Sequence, residues 1–384
     1  MRVLFDALGL PTHGGAKSSA LGWIRSMAKQ AANHQFVVAL SRYEPALEGQ
    51  SNLEQLVAPV SGRFSVRIWG QARLPQIVRA RRMDLAHFTK NHGCFLMPCP
   101  SVLTINDLNR LHYPAMFSRI DVAYWRTVQK ALLRQVSQII AISENTKQDL
   151  MDFYDLPSGK IHVVYPGISP RFRPWEGITE AMLEVYHKYG IHPPYVLSVG
   201  GMAMHKNVYT ALRAFSALLD HGYLTDYMFV VAGGRFHTHN DQRLVDLVSR
   251  HNERRIWLAG EISDEDLPFI YAGASLFVYP SLYEGFGIAP LEAMACGVPV
   301  LSSRAGSLPE VLADAAWMVD DATDVDAFAE AMLKLLSDRR TWNRFKERGL
   351  KRASHFSWSD TAQRTLELYH RVVQSQRDTL LGRG

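Results

Sequence analysis

The sequence predicts an α/β protein of two doubly wound, Rossmann-like domains, on three observations. A chain of 384 residues exceeds one ordinary domain and suits two of roughly 150–200 residues. Short apolar runs alternate with longer amphipathic segments throughout, the pattern of mostly parallel sheets with helices on both faces. The alternation breaks at 165–177 (YPGISPRFRPWEG), where three prolines and two glycines interrupt any apolar periodicity.

In the first half, residues 2–5, 35–40, 84–88, 101–105, 138–142 and 161–164 read as strands. A helix from about Ser18 to Gln30 follows the loop LGLPTHGGAKSS, and Ser143 caps a helix carrying Asp149 and Asp152. After the break, PPYVLSVGG gives a strand and glycine turn, with a helix starting near Asn207. DYMFVVAGG and RRIWLAG repeat the strand and turn, and SDEDLPFIYAGA reads as a helix whose acidic first turn suits the helix dipole. SLFVYP, a glycine-rich loop, a helix around Pro290–Cys296 and VPVLSS follow. The chain closes on an amphipathic helix with Trp358, Ala362, Leu366 and Tyr369 or His370 at helical spacing. The expected division is a first domain over 1–168, a linker over 169–190, a second domain over 191–357 and a terminal helix over 358–384. Ligands of such sheets bind beyond the carboxyl ends of the strands, which here means a cleft between facing domains.

Composition narrows the class. Hydrophobic residues at 47% and charged residues at 21% are ordinary for a chain that buries a full core. Cys94, Cys99 and Cys296 are too scattered for a disulfide framework and lack zinc-site spacing, so a reducing, cytoplasmic compartment is expected. Only VLF separates Arg2 from Asp6, which is no signal peptide, and no run reaches the roughly 18 apolar residues of a membrane span. Any membrane contact is therefore expected to be peripheral. Residues 1–168 hold 19 Lys/Arg against 11 Asp/Glu, whereas 169–384 hold 23 against 26. The basic half either meets an anionic partner or presents a solvated basic face. The same two readings apply to 64–84, where Arg67, Arg73, Arg79, Arg81 and Arg82 interleave with Ile68, Trp69, Leu74, Ile77 and Val78. The specific form of the first reading is docking to anionic lipid on the cytoplasmic face of an inner membrane. Nucleic acid is not expected, because no reader motif accompanies the charge.

The most informative stretch is YPSLYEGFGIAPLEAMACGVPVLSSRAGSLPEV, residues 279–311. Glu284 falls in a loop after a strand and Glu292 in the helix that follows, eight residues on. Carboxylates there accept hydrogen bonds from vicinal hydroxyls of a ribose or hexose. Gly285 and Gly287 let backbone N–H groups approach a phosphate at the helix start. The competing reading is a surface turn with an ordinary helix-terminal charge.

This string resembles the E-x7-E signature of glycosyltransferase family 4, in its bacterial polysaccharide-assembly branch. SVGGMAMHKNVYTALRAF, VVAGG, IWLAGEISDEDLPFIYAGASLFVYPS, VVYPGISPRF and the HGGAKSS loop resemble further family segments, so the likeness covers nearly the whole chain. The resemblance implies a retaining enzyme of the GT-B fold, with an acceptor-binding first domain, a nucleotide-sugar-binding second domain and a terminal helix returning to the first. It implies that Glu292 binds the ribose and that Glu284 contacts the transferred sugar. Phe286, Gly287 and Ile288 would offer backbone donors, and Ile262 would pack near the base. Lys206, after the Gly200-Gly201 turn, would neutralise the leaving diphosphate, and Gly14-Gly15 would let the first domain close over it.

Two departures stand out. Many relatives carry Arg where this chain has Gly201, and the branch it resembles often has Arg where this chain has His205. Relatives read His-Asp where this chain reads Asn106-Asp107, so Asn106 either takes the positioning role or yields it to His92, His112 or His13. Asp324-Val-Asp326 opens a late helix and is no strand-end DxD, so no catalytic metal is expected. The family's chemistry implies instead that the leaving phosphate assists the incoming hydroxyl on the same face. The expected activity is transfer of a hexose, from GDP-mannose or a GDP-deoxyhexose, to a cell-surface polysaccharide or lipid-linked oligosaccharide. The alternatives are a catalytically weak scaffold subunit of an assembly complex, motivated by Asn106 and Gly201, and a sugar-nucleotide epimerase of the same fold.

Overall fold

A computed structural model describes residues 1–11, 14–234, 246–247, 249–250, 255–380 and 382. The chain forms two compact units, Met1–Gly167 with Ser357–Gly384, and Ile168–Phe356.

Unit 1 is built on seven parallel strands: β1 (Arg2–Ala7), β2 (Gln35–Leu40), β3 (Leu53–Val57), β4 (Leu85–Phe88), β5 (Ser101–Ile105), β6 (Gln138–Ala141) and β7 (Ile161–Val163). They lie in the order β3-β2-β1-β4-β5-β6-β7, so the winding reverses between β1 and β4. In such sheets the reversal opens a crevice at the strands' carboxyl ends. The inner strands are apolar runs buried on both faces, as parallel sheets require. β3 escapes the sequence pattern because it is an edge strand, with Glu54 and Gln55 at its centre and only half-burial on its apolar positions. The first described α-helices of this unit are α1 (Gly15–Gln30), α2 (Arg63–Arg81), α3 (Asn109–His112), α4 (Arg119–Tyr124), α5 (Lys130–Gln135) and α6 (Glu144–Tyr154). Ser143 caps α6 by accepting from the Thr146 N–H at 2.9 Å.

Unit 2 repeats the plan with six parallel strands: β8 (Tyr195–Val199), β9 (Met228–Ala232), β10 (Ile256–Gly260), β11 (Leu276–Tyr279), β12 (Val300–Ser303) and β13 (Trp317–Val319). Their order is β10-β9-β8-β11-β12-β13, with the reversal between β8 and β11. Its described helices are α7 (Glu180–Tyr189), α8 (Val208–Asp220), α9 (Leu267–Ala272), α10 (Ile288–Ala295), α11 (Leu308–Leu312), α12 (Val325–Ser337) and α13 (Arg339–Ala353). The expected linker over 169–190 needs correction, because α7 occupies its second half. Thr179 caps that helix, and Met182, Val185 and Tyr186 are buried at helical spacing. Trp257 fixes its end by donating to the Tyr189 carbonyl at 2.8 Å. The proline and glycine density that marks a connector stops at Gly177. Asp324 acts as the N-cap of α12, accepting from Ala327 N–H at 3.0 Å.

The C-terminal helix α14 (Trp358–Leu380) belongs to unit 1 and packs on α1. Any Cβ at Gly22 would fall 2.5 Å from the Trp358 ring, so glycine is what lets the two helices meet. Trp23 donates to Thr365 Oγ1 at 3.0 Å. His87, buried in β4, bridges Tyr369 Oη at 2.5 Å and Thr104 Oγ1 at 2.7 Å. Burial pushes this imidazole down to about 3, so it stays neutral and serves as a polar rivet in an apolar layer. Among the described residues no helix is long and apolar enough to cross a membrane.

Candidate active site

Every residue of the best-marked group follows a strand of unit 2. Gly200 and Gly201 end β8, with φ of 130° and 68°, and both amides donate to the Ala232 carbonyl. A Cβ at Gly201 would lie 2.5 Å from the Gly233 carbonyl oxygen. The glycine departure noted above therefore has a steric cause: this turn stacks on a second glycine turn, Gly233-Gly234, and leaves no room for a side chain.

Lys206 follows that turn and reaches across the β8/β11 reversal. Its Nζ donates to Tyr279 Oη at 2.6 Å and to Glu284 Oε1 at 2.7 Å. Ser281 Oγ donates to the same Oε1 at 2.7 Å. The two charged side chains are only 19% and 11% exposed. Burial pushes Lys206 down, but the Glu284 and Tyr279 oxygens outweigh it and hold the ammonium above its ordinary range. Burial likewise raises Glu284, and the ammonium charge with the Lys206 and Ser281 hydrogen bonds brings it below the ordinary carboxylate range. Both groups are thus ionised at neutral pH. One Nζ hydrogen and the whole of Oε2 carry no hydrogen bond to the described residues. The lysine can meet a phosphate while the carboxylate accepts from a sugar hydroxyl.

The loop around Glu284 is fixed by its backbone. The Glu284 carbonyl accepts from Ser307 N–H and Ser307 Oγ, each at 3.0 Å. Gly287, at φ 93°, caps α10, and a Cβ there would lie 2.6 Å from Leu308 Cδ2. Gly285 and Phe286 are buried, and the Phe286 ring turns inward onto Phe356. Its expected part is therefore confined to the backbone. Ile288 opens α10 and Ile262, buried, follows β10. One turn into α10, Glu292 is 7% exposed. Burial raises its carboxyl to about 8, with Asp264 adding to the rise and Tyr271 and Arg171 opposing it. The free protein holds this acid protonated near neutrality. His205 adjoins the cluster: its carbonyl accepts from Leu282 N–H at 2.7 Å, and its charge acts on Glu284.

Unit 1 holds the remaining expected residues. Gly14, at φ 96°, and Gly15 begin α1 in an exposed turn. Asn106 ends β5, its N–H donating to Asn91 Oδ1 at 2.7 Å, and its own side-chain amide makes no hydrogen bond to the described residues. His112 pairs with Asp149 at 2.9 Å, on α6, while His92 lies 3.4 Å from Arg67 Nη2. His13 lies outside the described residues. The basic segment is one helix, α2, and its arginines are not equivalent. Arg81 is paired with Glu54 at 2.5 Å and Arg73 bonds Gln76 at 3.0 Å, whereas Arg79 and Arg82 are exposed. Arg67 is half-buried, stacked on Tyr124 and beside His92, a distinction the sequence pattern did not make.

Two parallel sheets with a lysine–carboxylate cluster at a strand-order reversal define an α/β enzyme of the nucleotide-binding kind. Two family models match the chain, one described as Glycosyl transferases group 1 over residues 187–352 and one as Glycosyltransferase Family 4 over residues 13–172. The O-antigen chain mannosyltransferase B of Escherichia coli is 34% identical over 272 residues, which cover 70% of this chain and 70% of that protein. The serotype-specific mannosyltransferase WbdA of Escherichia coli is 30% identical over 66% of this chain, a match that takes in 31% of that longer protein. In structure the chain is similar to HepE of Anabaena, solved with UDP and glucose, at a TM-score of 0.74 and 18% identity over 95% of this chain and 98% of that one. The chain belongs to glycosyltransferase family 4 and has the GT-B fold. It is a glycosyltransferase.

Proposed function

We propose that this enzyme transfers mannose, or a related hexose, from a GDP-sugar to a cell-surface polysaccharide or lipid-linked oligosaccharide, with retention and without a metal. The observation that carries the donor site is the Lys206–Glu284–Tyr279 constellation, with one ammonium hydrogen and one carboxylate oxygen still open. Departure of a nucleoside diphosphate builds negative charge on phosphate oxygens. A pre-positioned ammonium and backbone N–H groups at the start of α10 stabilise that charge more in the transition state than in the ground state. In this reading Glu284 Oε2 holds the transferred sugar and Glu292 the ribose. Gly285, Phe286, Gly287 and Ile288 supply backbone contacts, and Ile262 packs by the base. Gly200, Gly201 and His205 shape the phosphate turn. For Gly14, Gly15 and Asn106, on unit 1, the family resemblance is the support for a part in donor binding. The names of the mannosyltransferase relatives support the sugar.

Contact with anionic membrane through α2 fits the exposed Arg79 and Arg82, together with Phe64 and Ile68, exposed by 74% and 69% on adjacent turns. The test of the donor site is a thermal-shift screen of GDP, UDP, dTDP and ADP and their sugars, on the wild type and Glu292→Ala. A ligand that binds only the folded state raises Tm. A shift with GDP ligands alone, absent in the variant, is the expected result. No shift with any nucleotide overturns the reading. Unchanged turnover in EDTA is expected, and lost turnover overturns the metal-free chemistry.

A further inference from the structure

Lys206 sits in a short turn between β8 and α8, and each residue from Tyr279 to Leu282 bonds either that turn or its carboxylate. Tyr279 Oη accepts from Lys206 Nζ at 2.6 Å. The Pro280 carbonyl accepts from Asn207 Nδ2 at 3.1 Å. Ser281 Oγ donates to Glu284 Oε1 at 2.7 Å. Leu282 N–H donates to the His205 carbonyl at 2.7 Å. This rail is itself held from β12, where Ser302 Oγ donates to the Tyr279 carbonyl at 3.2 Å and Ser303 Oγ to the Ser281 carbonyl at 2.5 Å. Asn207, in the left-handed region at φ 50°, also donates to the Ala322 carbonyl at 2.6 Å. The turn is therefore tied on both sides of the lysine, and its side chain leaves a fixed backbone.

Among the described residues the ammonium has two anchors, Glu284 and Tyr279, and Tyr279 is the uncharged one. The tyrosine is 2% exposed, and its ring stacks on Phe277 at 5.8 Å. An apolar side chain would fill this strand end as well, and a buried hydroxyl is costly unless it is bonded. Burial and the Glu284 charge keep the phenol protonated far above neutrality, against the pull of Lys206. It therefore takes an ammonium hydrogen without neutralising the ammonium. A second anchor also fixes direction. Held by Glu284 Oε1 alone, the ammonium turns about one axis and its other hydrogens sweep a cone. Held at two points, its remaining hydrogen has one direction.

We infer that Tyr279 is a positioning residue of the transfer reaction, whose hydroxyl aims the open Lys206 hydrogen at the departing phosphate. The inference rests on the glycosyl-transfer reading, in which Lys206 meets the leaving diphosphate. A pre-aimed charge counts most where charge develops, so its loss falls on kcat rather than on KM.

The experiment uses the full chain with Tyr279→Phe, which removes only the oxygen, in the wild-type and the Lys206→Met backgrounds. Turnover of the nucleotide sugar is measured per folded molecule, with Tm alongside. Tyr279→Phe is expected to lower kcat about tenfold and to move KM for the nucleotide sugar by less than about twofold. On Lys206→Met it should cost nothing further, because it acts through that lysine. Equal losses in the two backgrounds, or a lower Tm with kcat intact, overturn the inference. A second arm follows the Lys206 ammonium by nitrogen NMR, assigned by its loss in Lys206→Met. A sharp signal that broadens in Tyr279→Phe is expected, and an unchanged signal overturns the inference. Should Tyr279→Phe not fold, a ring-fluorinated tyrosine placed at 279 keeps the hydroxyl but weakens it as an acceptor. The Lys206 signal should then shift, and an unshifted signal is equally fatal. A wild type that consumes no nucleotide sugar breaks the transfer reading and with it the role in kcat. A signal that still depends on the Tyr279 hydroxyl keeps the aimed ammonium.

Discussion

Each sheet presents a lysine and a carboxylate at its strand-order reversal, but the two pairs are built differently. In unit 2, Lys206 and Glu284 touch at 2.7 Å, and contact holds both ionised. In unit 1, Lys90 and Asp6 influence one another without forming an ion pair, and burial leaves them titrating near 8 and 6. A contact pair fixes geometry and charge before any ligand arrives, which suits transition-state stabilisation. A separated pair leaves each group to burial, so both change charge within about one pH unit of neutrality.

Removing Lys206 breaks that contrast most severely. Lys206→Met is expected to lower kcat/KM by about a thousandfold, roughly 4 kcal/mol of lost transition-state stabilisation. It also leaves Glu284 buried and unpaired, with a stability loss of about 3–5 kcal/mol. Adding Glu284→Gln should restore Tm without restoring turnover. Recovered turnover in the double variant would show that the pair is only structural.

Glu292 gives a smaller effect. Glu292→Gln should weaken nucleotide binding by up to about tenfold in calorimetry, for the loss of a hydrogen bond to the ribose. Its carboxyl sits near 8 in the free protein against 4.5 unfolded. The folded state therefore keeps a proton that the unfolded chain releases between those values, and stability falls as pH rises from about 4.5 to 8. The glutamine variant should lose that part of the slope when Tm is compared at pH 5 and pH 8. A wild-type slope that survives intact would discount the acid.

The smallest effect separates the two lysines by pH. An NMR titration of the lysine side chains should show one that loses its charge near pH 8, because burial brings Lys90 there while Lys206 stays charged. Asp6, at about 6, is already ionised over that range. Lys90→Arg should remove that titration, and an unchanged profile would exclude Lys90 as its source.

The unit-2 site was legible in the sequence because Glu284, Gly287 and Glu292 fall within one short string and Lys206 directly follows a glycine turn. The unit-1 corner was not. Asp6 lies on β1 and Lys90 follows β4, and only the strand order makes those two strands neighbours. Hydrophobic alternation marks strands but not their neighbours. Arg67 was also hidden among four other arginines, and only packing separates it from Arg79 and Arg82. Helix α7 was missed for the opposite reason: proline and glycine upstream of it drew the connector too long.

The rivet between His87 and Tyr369 joins residues 282 positions apart, with all of unit 2 between them in the chain. The order of synthesis therefore runs against the order of the units. Unit 2 is contiguous and can close while the ribosome is still translating, whereas unit 1, begun first, waits for the last helix. Until Trp358 reaches Gly22, the nascent first unit carries an unsealed apolar face, the kind of surface that chaperones hold and that aggregation exploits.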